Sequence, residues 1–440
     1  MKTIQEMYRE KVMPAEKLLE MIKNDDYIFC AQAAGEPEAI MSKLQHLKHT
    51  GVKNVHLQTC LPIKNYPVFH DREMEGILEH NCWFFQADVR TAHDERLVSD
   101  IPQNSCTALS KTYDRYTREG SRPVVIATCA PMDSHGYMSL SISAIYEMDL
   151  VKSGALVLIE VNPNFPRTFG DTMVHVSQVA GIVESDRPIP AFNPAPYTDI
   201  DEKIGRHVAS LIEDGSTIQL GIGNMPNAIA NELKDKKHLG IHTEMFTESM
   251  VDLIECGAVD NTQKGLDNGY SVCSFTMGSQ RLYDFLNDNP AVLFKSCRYT
   301  NDPYTIGKCN QFVSVNATLE VDLTGQCASE SIGPMQFSGT GGQVETVRGA
   351  QMSPGGKSIL CMHSTFTDKQ GKVHSKIVPF LQEGSIVSTS RNETDYVVTE
   401  YGIAWLRGIP VKRRVEELIK IAHPDFRDRL REEAENNRIW

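Results

Sequence analysis

The chain has no surplus of positive charge. Its 44 lysines and arginines stand against 57 aspartates and glutamates, for a net charge of −13. A nucleic-acid partner is therefore not expected, because neutralising phosphates needs a basic face. An anionic small molecule is still compatible, since a local pocket can oppose the global sign. Long apolar runs are missing as well. Nothing approaches the ~20 apolar residues that span a bilayer, and Met1 to Glu20 is charged throughout, without the apolar stretch of a secretion signal. No membrane association is expected. The 11 cysteines include no CxxC clip, the closest two being Cys297 and Cys309. Scattered cysteines in a large chain read as reduced core residues, which points to the cytoplasm. Internal repeats and low-complexity tracts are also lacking.

What is present is an ordinary globular balance, 41% hydrophobic and 23% charged over 440 residues, long enough for two to three domains. Residues 1–190 alternate helical and strand-like patterns. Glu16 to Met21 follows Pro14 and reads as a helix. Asn54 to Leu57, Pro123 to Thr128 and Ala155 to Val161 read as strands, the last an apolar run suited to a parallel strand covered on both faces. Four prolines, Pro188, Pro190, Pro194 and Pro196, mark a linker between Ser185 and Asp201. The expected domains are 1–190 and 201–440. Val415 to Asn437 reads as one charged surface helix.

The second domain opens with an amphipathic helix, Ile204 to Ile212, ended by Asp214-Gly215. A strand follows at Thr217 to Leu220, then a turn at Gly221-Ile222-Gly223 and a helix opened by Pro226. A lysine-rich turn (234–237) leads to a strand at His238 to His242. Glu244 comes next, then a helix through Met250, Val251, Leu253 and Ile254, ended by Gly257. Strand–turn–helix repeated twice is the pattern of a parallel α/β sheet.

This order places Gly221-Ile222-Gly223 and Glu244 each just past the carboxyl end of a strand, the edge where open α/β sheets bind ligands. Glycines let the backbone approach a ligand closely, and the following helix aims its first N–H groups outward, toward a phosphate or an amide. Alone, a GxG turn more often serves strand–helix packing, and an isolated Glu near a helix start more often stabilises the helix dipole. His238 and His242 have the spacing of a helical metal pair but lie in a strand, so they are read as structural and no metal is expected. Gly339-Thr340-Gly341-Gly342-Gln343 is dense enough in glycine to form a nest of N–H groups for an oxyanion, and equally compatible with a flexible hairpin. Lys369, in the turn Asp368 to Gly371, is compatible with a phosphate contact or with plain exposure. Met335 and Phe337 read as packing residues.

Six longer stretches carry a resemblance: DGSTIQLGIGNMPNAI (214–229), LGIHTEMFTESMVDL (239–253), QFSGTGGQVETVRGA (336–350), SKIVP (375–379), DYVVTEYGIA (395–404) and FGDTMVHVS (169–177). On these the chain resembles the acetyl-CoA hydrolase/transferase family over nearly its whole length, and within it the 4-hydroxybutyrate and butyrate CoA-transferases. The resemblance implies two open α/β domains with largely parallel sheets and the active site between them. It makes Glu244 the nucleophile. It gives CoA contacts to Gly221, Ile222, Gly223, Asn224 and Met225, and further contacts to Leu319, Gly342 and Lys369, with Gly342 near the thioester carbonyl. It implies acyl-CoA and short-chain carboxylates as substrates, no permanently bound cofactor, and a homodimer.

Glutamate suits such chemistry. A carboxylate that attacks a thioester keeps every covalent state activated, whereas a serine would form an ordinary ester and lose that activation. Ping-pong kinetics are expected. The alternatives are an acyl-CoA hydrolase and, from another class, a non-catalytic CoA-binding sensor. The chain departs from the family twice: Glu248-Ser249 stands where Asp-Gly is usual, and Glu345-Thr346 where Asp-Phe is usual.

Overall fold

The structure, a computed structural model, describes residues 2–193, 196–221 and 223–439. Pro194 of the linker and Ile222 of the glycine turn lie outside these. The chain forms two compact units. One comprises Met1–Phe192 with Val272–Thr300, the other Asn193–Ser271 with Asn301–Trp440.

The first unit is built on a seven-stranded sheet. Its strands are β1 (Tyr27–Cys30), β2 (Val55–Thr59), β3 (Leu78–Cys82), β4 (Val98–Asp100), β5 (Pro123–Cys129), β6 (Leu156–Val161) and β7 (Gly181–Glu184). Their order is β7-β6-β5-β1-β2-β3-β4 and every pairing is parallel. The chain winds outward from β1 on one side, then crosses back to β5 and winds outward on the other. Burial on both faces explains the continuous apolar strands. Ile28, Leu57, Ile126 and Leu158 join one core with Leu18 and Leu19, from the short helix Ala15–Leu19 that Pro14 caps.

The second unit repeats the principle with six strands: β8 (Thr217–Leu220), β9 (Gly240–Ile241), β10 (Phe312–Ala317), β11 (Lys357–Cys361), β12 (Tyr396–Thr399) and β13 (Gly402–Trp405). The order is β9-β8-β10-β11-β12-β13, parallel except for the final hairpin. The two α/β sheets, almost wholly parallel, agree with the fold class read from sequence. From β8 the chain passes to β9 on one side and later to β10 on the other. The turn after β8 therefore stands at the switch point of the sheet, where a crevice opens at the carboxyl ends of the strands.

Helices differ from their expected limits at three places. The first helix of this unit, α1 (Asp199–Ala209), begins five residues early. Thr198 caps it by accepting from Asp201 N while Asp201 reaches back, a capping box that overrides the apolar start at Ile204. The helix after the glycine turn, α2 (Asn224–Asn231), starts at Asn224 with Gly223 as its cap, so Pro226 sits inside the first turn. It is tolerated there because the first N–H groups of a helix have no partner within it. The expected C-terminal helix is two, α5 (Val411–Ile421) and α6 (Pro424–Asn436), once α3 (Glu248–Glu255) and α4 (Gln343–Met352) are counted. Pro424 forces His423 out of helical geometry, to ψ 135°, and restarts the chain as a new helix.

Candidate active site

Glu244 lies three residues beyond β9 and is half-buried. The residues leading to it are fixed. His242 is fully buried, edge-on to Phe312 at 6.2 Å. Thr243, also buried, donates its hydroxyl to Met245 O at 3.0 Å and so ties the turn on either side of Glu244. The cap of α3 is Thr247, and the acid in its first turn is Glu248. Glu244 therefore precedes the helix altogether, and stabilising the α3 dipole does not explain it.

Its carboxylate meets two other segments. Asn301, completely buried, donates Nδ2 to Glu244 Oε2 at 2.5 Å. The same nitrogen lies 3.4 Å from Oε2 of Glu345, itself 2% exposed. Gly342 closes the third side. A Cβ there would fall well inside contact distance of both Glu244 Oε2 and Asn301 Nδ2. The φ of Gly342 is −88°, open to any residue, so the demand for glycine is spatial.

Gly342 also caps α4, so the N-terminus of a ten-residue helix abuts the Glu244 carboxylate. Helix N-termini favour negative charge by ~0.3–1 kcal/mol, up to ~2 in partly buried geometry. Gly341, at φ +53°, pairs with the negative φ of Gly342, the alternation that turns successive N–H groups to one side.

The glycine loop is held, not flexible. Thr340 donates its hydroxyl to Glu330 Oε2 at 2.8 Å, and the Phe337 and Ser338 N–H groups bond to Glu330 O at 2.8 and 3.1 Å. Gln343 donates Nε2 to Ser329 Oγ at 3.0 Å and to Thr389 Oγ1 at 3.1 Å. Thr346, one of the two departures, centres a buried network. Its hydroxyl donates to Gln343 O at 3.1 Å and accepts from Ser314 Oγ at 2.9 Å and from Asn316 Nδ2 at 3.1 Å. These bonds brace the start of α4 against β10. An aromatic ring here would sit among hydroxyls and an amide.

At the switch point, Gly221 N donates to Val315 O at 3.0 Å, joining the turn to β10. Gly223 adopts φ +111° and ψ −169°, a region open essentially to glycine alone. No side chain caps α2, so its first N–H groups have no side-chain acceptor at Gly223. Asn224 is exposed and Met225 half-buried on that first turn. The other departure, Glu248-Ser249, opens α3. With Asn227, Asn231, Lys234 and Asp252 it lines a cavity of about 310 Å³ beside α2 and α3.

Leu319 is half-buried just past β10, its N–H bonded to Ala328 O at 3.0 Å. Lys369 is exposed at the tip of a hairpin, Thr365–Thr367 with Val373–Ser375. Asp368 organises that tip by accepting from Gln370 N, Lys372 N and His374 Nε2 at 3.0, 2.9 and 2.7 Å. The two histidines read as structural have separate surroundings. His238 is exposed against Asp260 Oδ2 at 2.7 Å and His242 is buried. Among the described residues no group of three potential ligands is placed to hold a metal.

Of the residues named from sequence, Glu244 and Gly342 are thus brought into contact. Asn301 was missed. Its importance comes from burial, which no local pattern reports. Glu345 was noticed only as a departure.

A carboxylate fixed by an amide at a helix N-terminus, on the rim of a parallel sheet, is an arrangement suited to acyl-transfer chemistry. The chain belongs to the acetyl-CoA hydrolase/transferase family: the model of its N-terminal domain matches residues 1–194 and that of its C-terminal domain residues 278–434. It is 40% identical to the 4-hydroxybutyrate coenzyme A transferase of Clostridium kluyveri, over 98% of both chains. It is 39% identical to the succinyl-CoA:cyclohexane-1-carboxylate CoA transferase of Geobacter metallireducens, over 98% of this chain and 97% of that one. The crystal structure of RipA from Yersinia pestis superposes with a TM-score of 0.92 at 33% identity, covering 100% of both. Relatives named acetyl-CoA hydrolase are more distant; that of Kluyveromyces lactis is 25% identical over 95% of this chain and 88% of its own.

Proposed function

We propose that this chain transfers CoA between short-chain carboxylic acids through a thioester on Glu244. The observation that carries the reading is the Glu244 carboxylate, anchored through Oε2 by Asn301 and seated against Gly342 at the N-terminus of α4.

Anchored in this way, Glu244 attacks the thioester carbon of an acyl-CoA through its other oxygen. The C–S bond breaks, giving an acyl-glutamyl anhydride and CoA thiolate. The thiolate then attacks the Glu244 carbonyl and expels the first carboxylate, which leaves a glutamyl-CoA thioester. A second carboxylate attacks that thioester and the steps run in reverse, returning Glu244 and a new acyl-CoA. Each tetrahedral oxyanion needs donors. The N–H groups at the start of α4 and the Asn301 amide are suited to supply them, one such donor being typically worth ~2.7–4 kcal/mol. CoA enters and leaves as substrate, so no resident cofactor is needed. The glycine turn at the switch point and the first turn of α2 are the candidate CoA contacts on this unit, with Leu319 and Lys369 as outlying ones.

The acyl partners we assign are acetyl-CoA with butyrate or 4-hydroxybutyrate, the last supported by the name of the relative from Clostridium kluyveri. We place the enzyme in the cytoplasm as a homodimer. Among the described residues no helix is long and apolar enough to cross a membrane.

The test is direct. After treatment with acetyl-CoA, borohydride reduction and peptide mass analysis should find the modification on Glu244; a label on another residue, or on none, overturns the reading. CoA release that needs no added carboxylate would favour hydrolysis instead.

A further inference from the structure

Asn301 faces two carboxylates, and in the proposed reaction only one of them keeps its charge. We infer that Glu345 is a positioning residue that takes over the Asn301 amide each time Glu244 is converted to the thioester. The inference rests on the function proposed above.

A carboxamide nitrogen carries two hydrogens. In the structure Asn301 Nδ2 is 2.5 Å from Glu244 Oε2 and 3.4 Å from Glu345 Oε2, so the amide is committed to the nucleophile and only grazes Glu345. Glu345 is not solvated: it is 2% exposed, and Asn301 is fully buried. When the CoA thiolate replaces one Glu244 oxygen, the carboxylate becomes a neutral thioester, a much weaker acceptor. Charge-assisted hydrogen bonds are roughly twice as strong as neutral ones, so the amide's better partner is then Glu345. A shift of well under 1 Å brings the 3.4 Å contact into ordinary hydrogen-bond range. In the thioester state Glu345 thus offers this amide a charged acceptor in place of the one Glu244 has lost. Glu345 thereby lowers the energy of the covalent intermediate without touching substrate.

The simpler account is that Glu345, third residue of α4, only stabilises the helix N-terminus. That role would move the melting temperature and leave the intermediate alone. The discriminating quantity is the ratio of CoA-adduct to free enzyme, read by intact-protein mass after acid quench at a fixed acetyl-CoA to acetate ratio. Glu345→Gln should lower that ratio about tenfold, since it removes the charge, and Glu345→Asp about threefold, since it shortens the reach. In an Asn301→Ala background Glu345→Gln should have no further effect. An unchanged ratio in folded Glu345→Gln, or an equal drop without Asn301, overturns the inference. If Glu345→Gln does not fold, Glu345→Asp decides: an unchanged ratio overturns it. Absence of any adduct in the unmodified enzyme is a different result, and it defeats the proposed thioester itself.

Discussion

Gly342 stands so close to Glu244 that a single methyl group would displace the carboxylate. The added Cβ meets Glu244 Oε2 and Asn301 Nδ2 together, and neither can yield without breaking the bond they share. A buried amide behind, a helix N-terminus in front and a glycine alongside leave this carboxylate one place to sit.

Gly342→Ala is therefore expected to act on turnover more than on folding. Backbone geometry at this position suits alanine, so the cost falls on the nucleophile. Misplacing a reacting group by about 1 Å costs on the order of 10²-fold, and we expect kcat to drop by about that factor. Steady-state kinetics with acetyl-CoA and butyrate, beside a melting curve, separate the two. Unchanged kcat in the variant would show that Glu244 has room the structure does not give it.

Glu244→Ala should abolish transfer and leave no borohydride-trapped adduct. Glu244→Asp withdraws the carboxylate by one methylene from Asn301 and from the substrate, and should keep no more than a trace of activity. Substantial turnover by Glu244→Ala would contradict the covalent route.

Asn301→Ala removes a hydrogen bond to a charged acceptor. Such bonds contribute about 1.5–3 kcal/mol, equivalent to about 10–100-fold. The loss is expected in kcat, with KM for acyl-CoA little changed, because Asn301 holds the nucleophile and not the nucleotide end of CoA. A variant that instead raises KM alone would move Asn301 out of the role given to it here.

The fold was legible because its signals are periodic. β5, β6 and β8 fall within a residue of the strands read from apolar runs, since parallel strands buried on both faces leave little room for polar residues. The capping box at Thr198 and the break before Pro424 are also written locally. They were outweighed by the apolar pattern that each interrupts. Nothing in composition marks the return of Val272–Thr300 to the first unit. The site divides in the same way. Glu244 and Gly342 lie in distinctive motifs. Asn301 acts only because folding buries it against Glu244, 57 positions away, and no spacing rule reports that. Thr346 looked like a lost aromatic; its value comes from partners on β10 that the sequence does not place beside it.

Thr346→Val tests that value. The substitution keeps the shape and deletes the hydroxyl, so Ser314 and Asn316 each lose one bond and keep another, Ser314 to Gln219 and Asn316 to Ser314. Each hydrogen bond lost in this way costs about 0.5–1.5 kcal/mol. The melting temperature should fall, and kcat should fall with it if the start of α4 shifts. Thr346→Ser should recover most of both. A stability equal to the parent would mean that the network re-forms without Thr346.

The last expectation concerns acid. His80, on β3, is buried against Phe69 at 4.3 Å with near-parallel rings, and its Nε2 lies 2.8 Å from Thr59 Oγ1. Burial pulls its pKa down to about 3, so the imidazole stays neutral in the folded chain. In the unfolded chain an ordinary histidine binds its proton near pH 6.5. Below that pH the unfolded state gains a proton that the folded state refuses. The stability His80 contributes is thus whole above about pH 6.5 and drains as pH falls toward 3, at about 1.4 kcal/mol per pH unit for one proton. Urea titrations between pH 4 and 7 on the parent and on His80→Leu should differ by about that slope. The variant loses the Thr59 bond and is weaker at pH 7, yet its stability declines less on acidification. Equal slopes would place the protonated ring within reach of solvent or of an acceptor that the fold does not show.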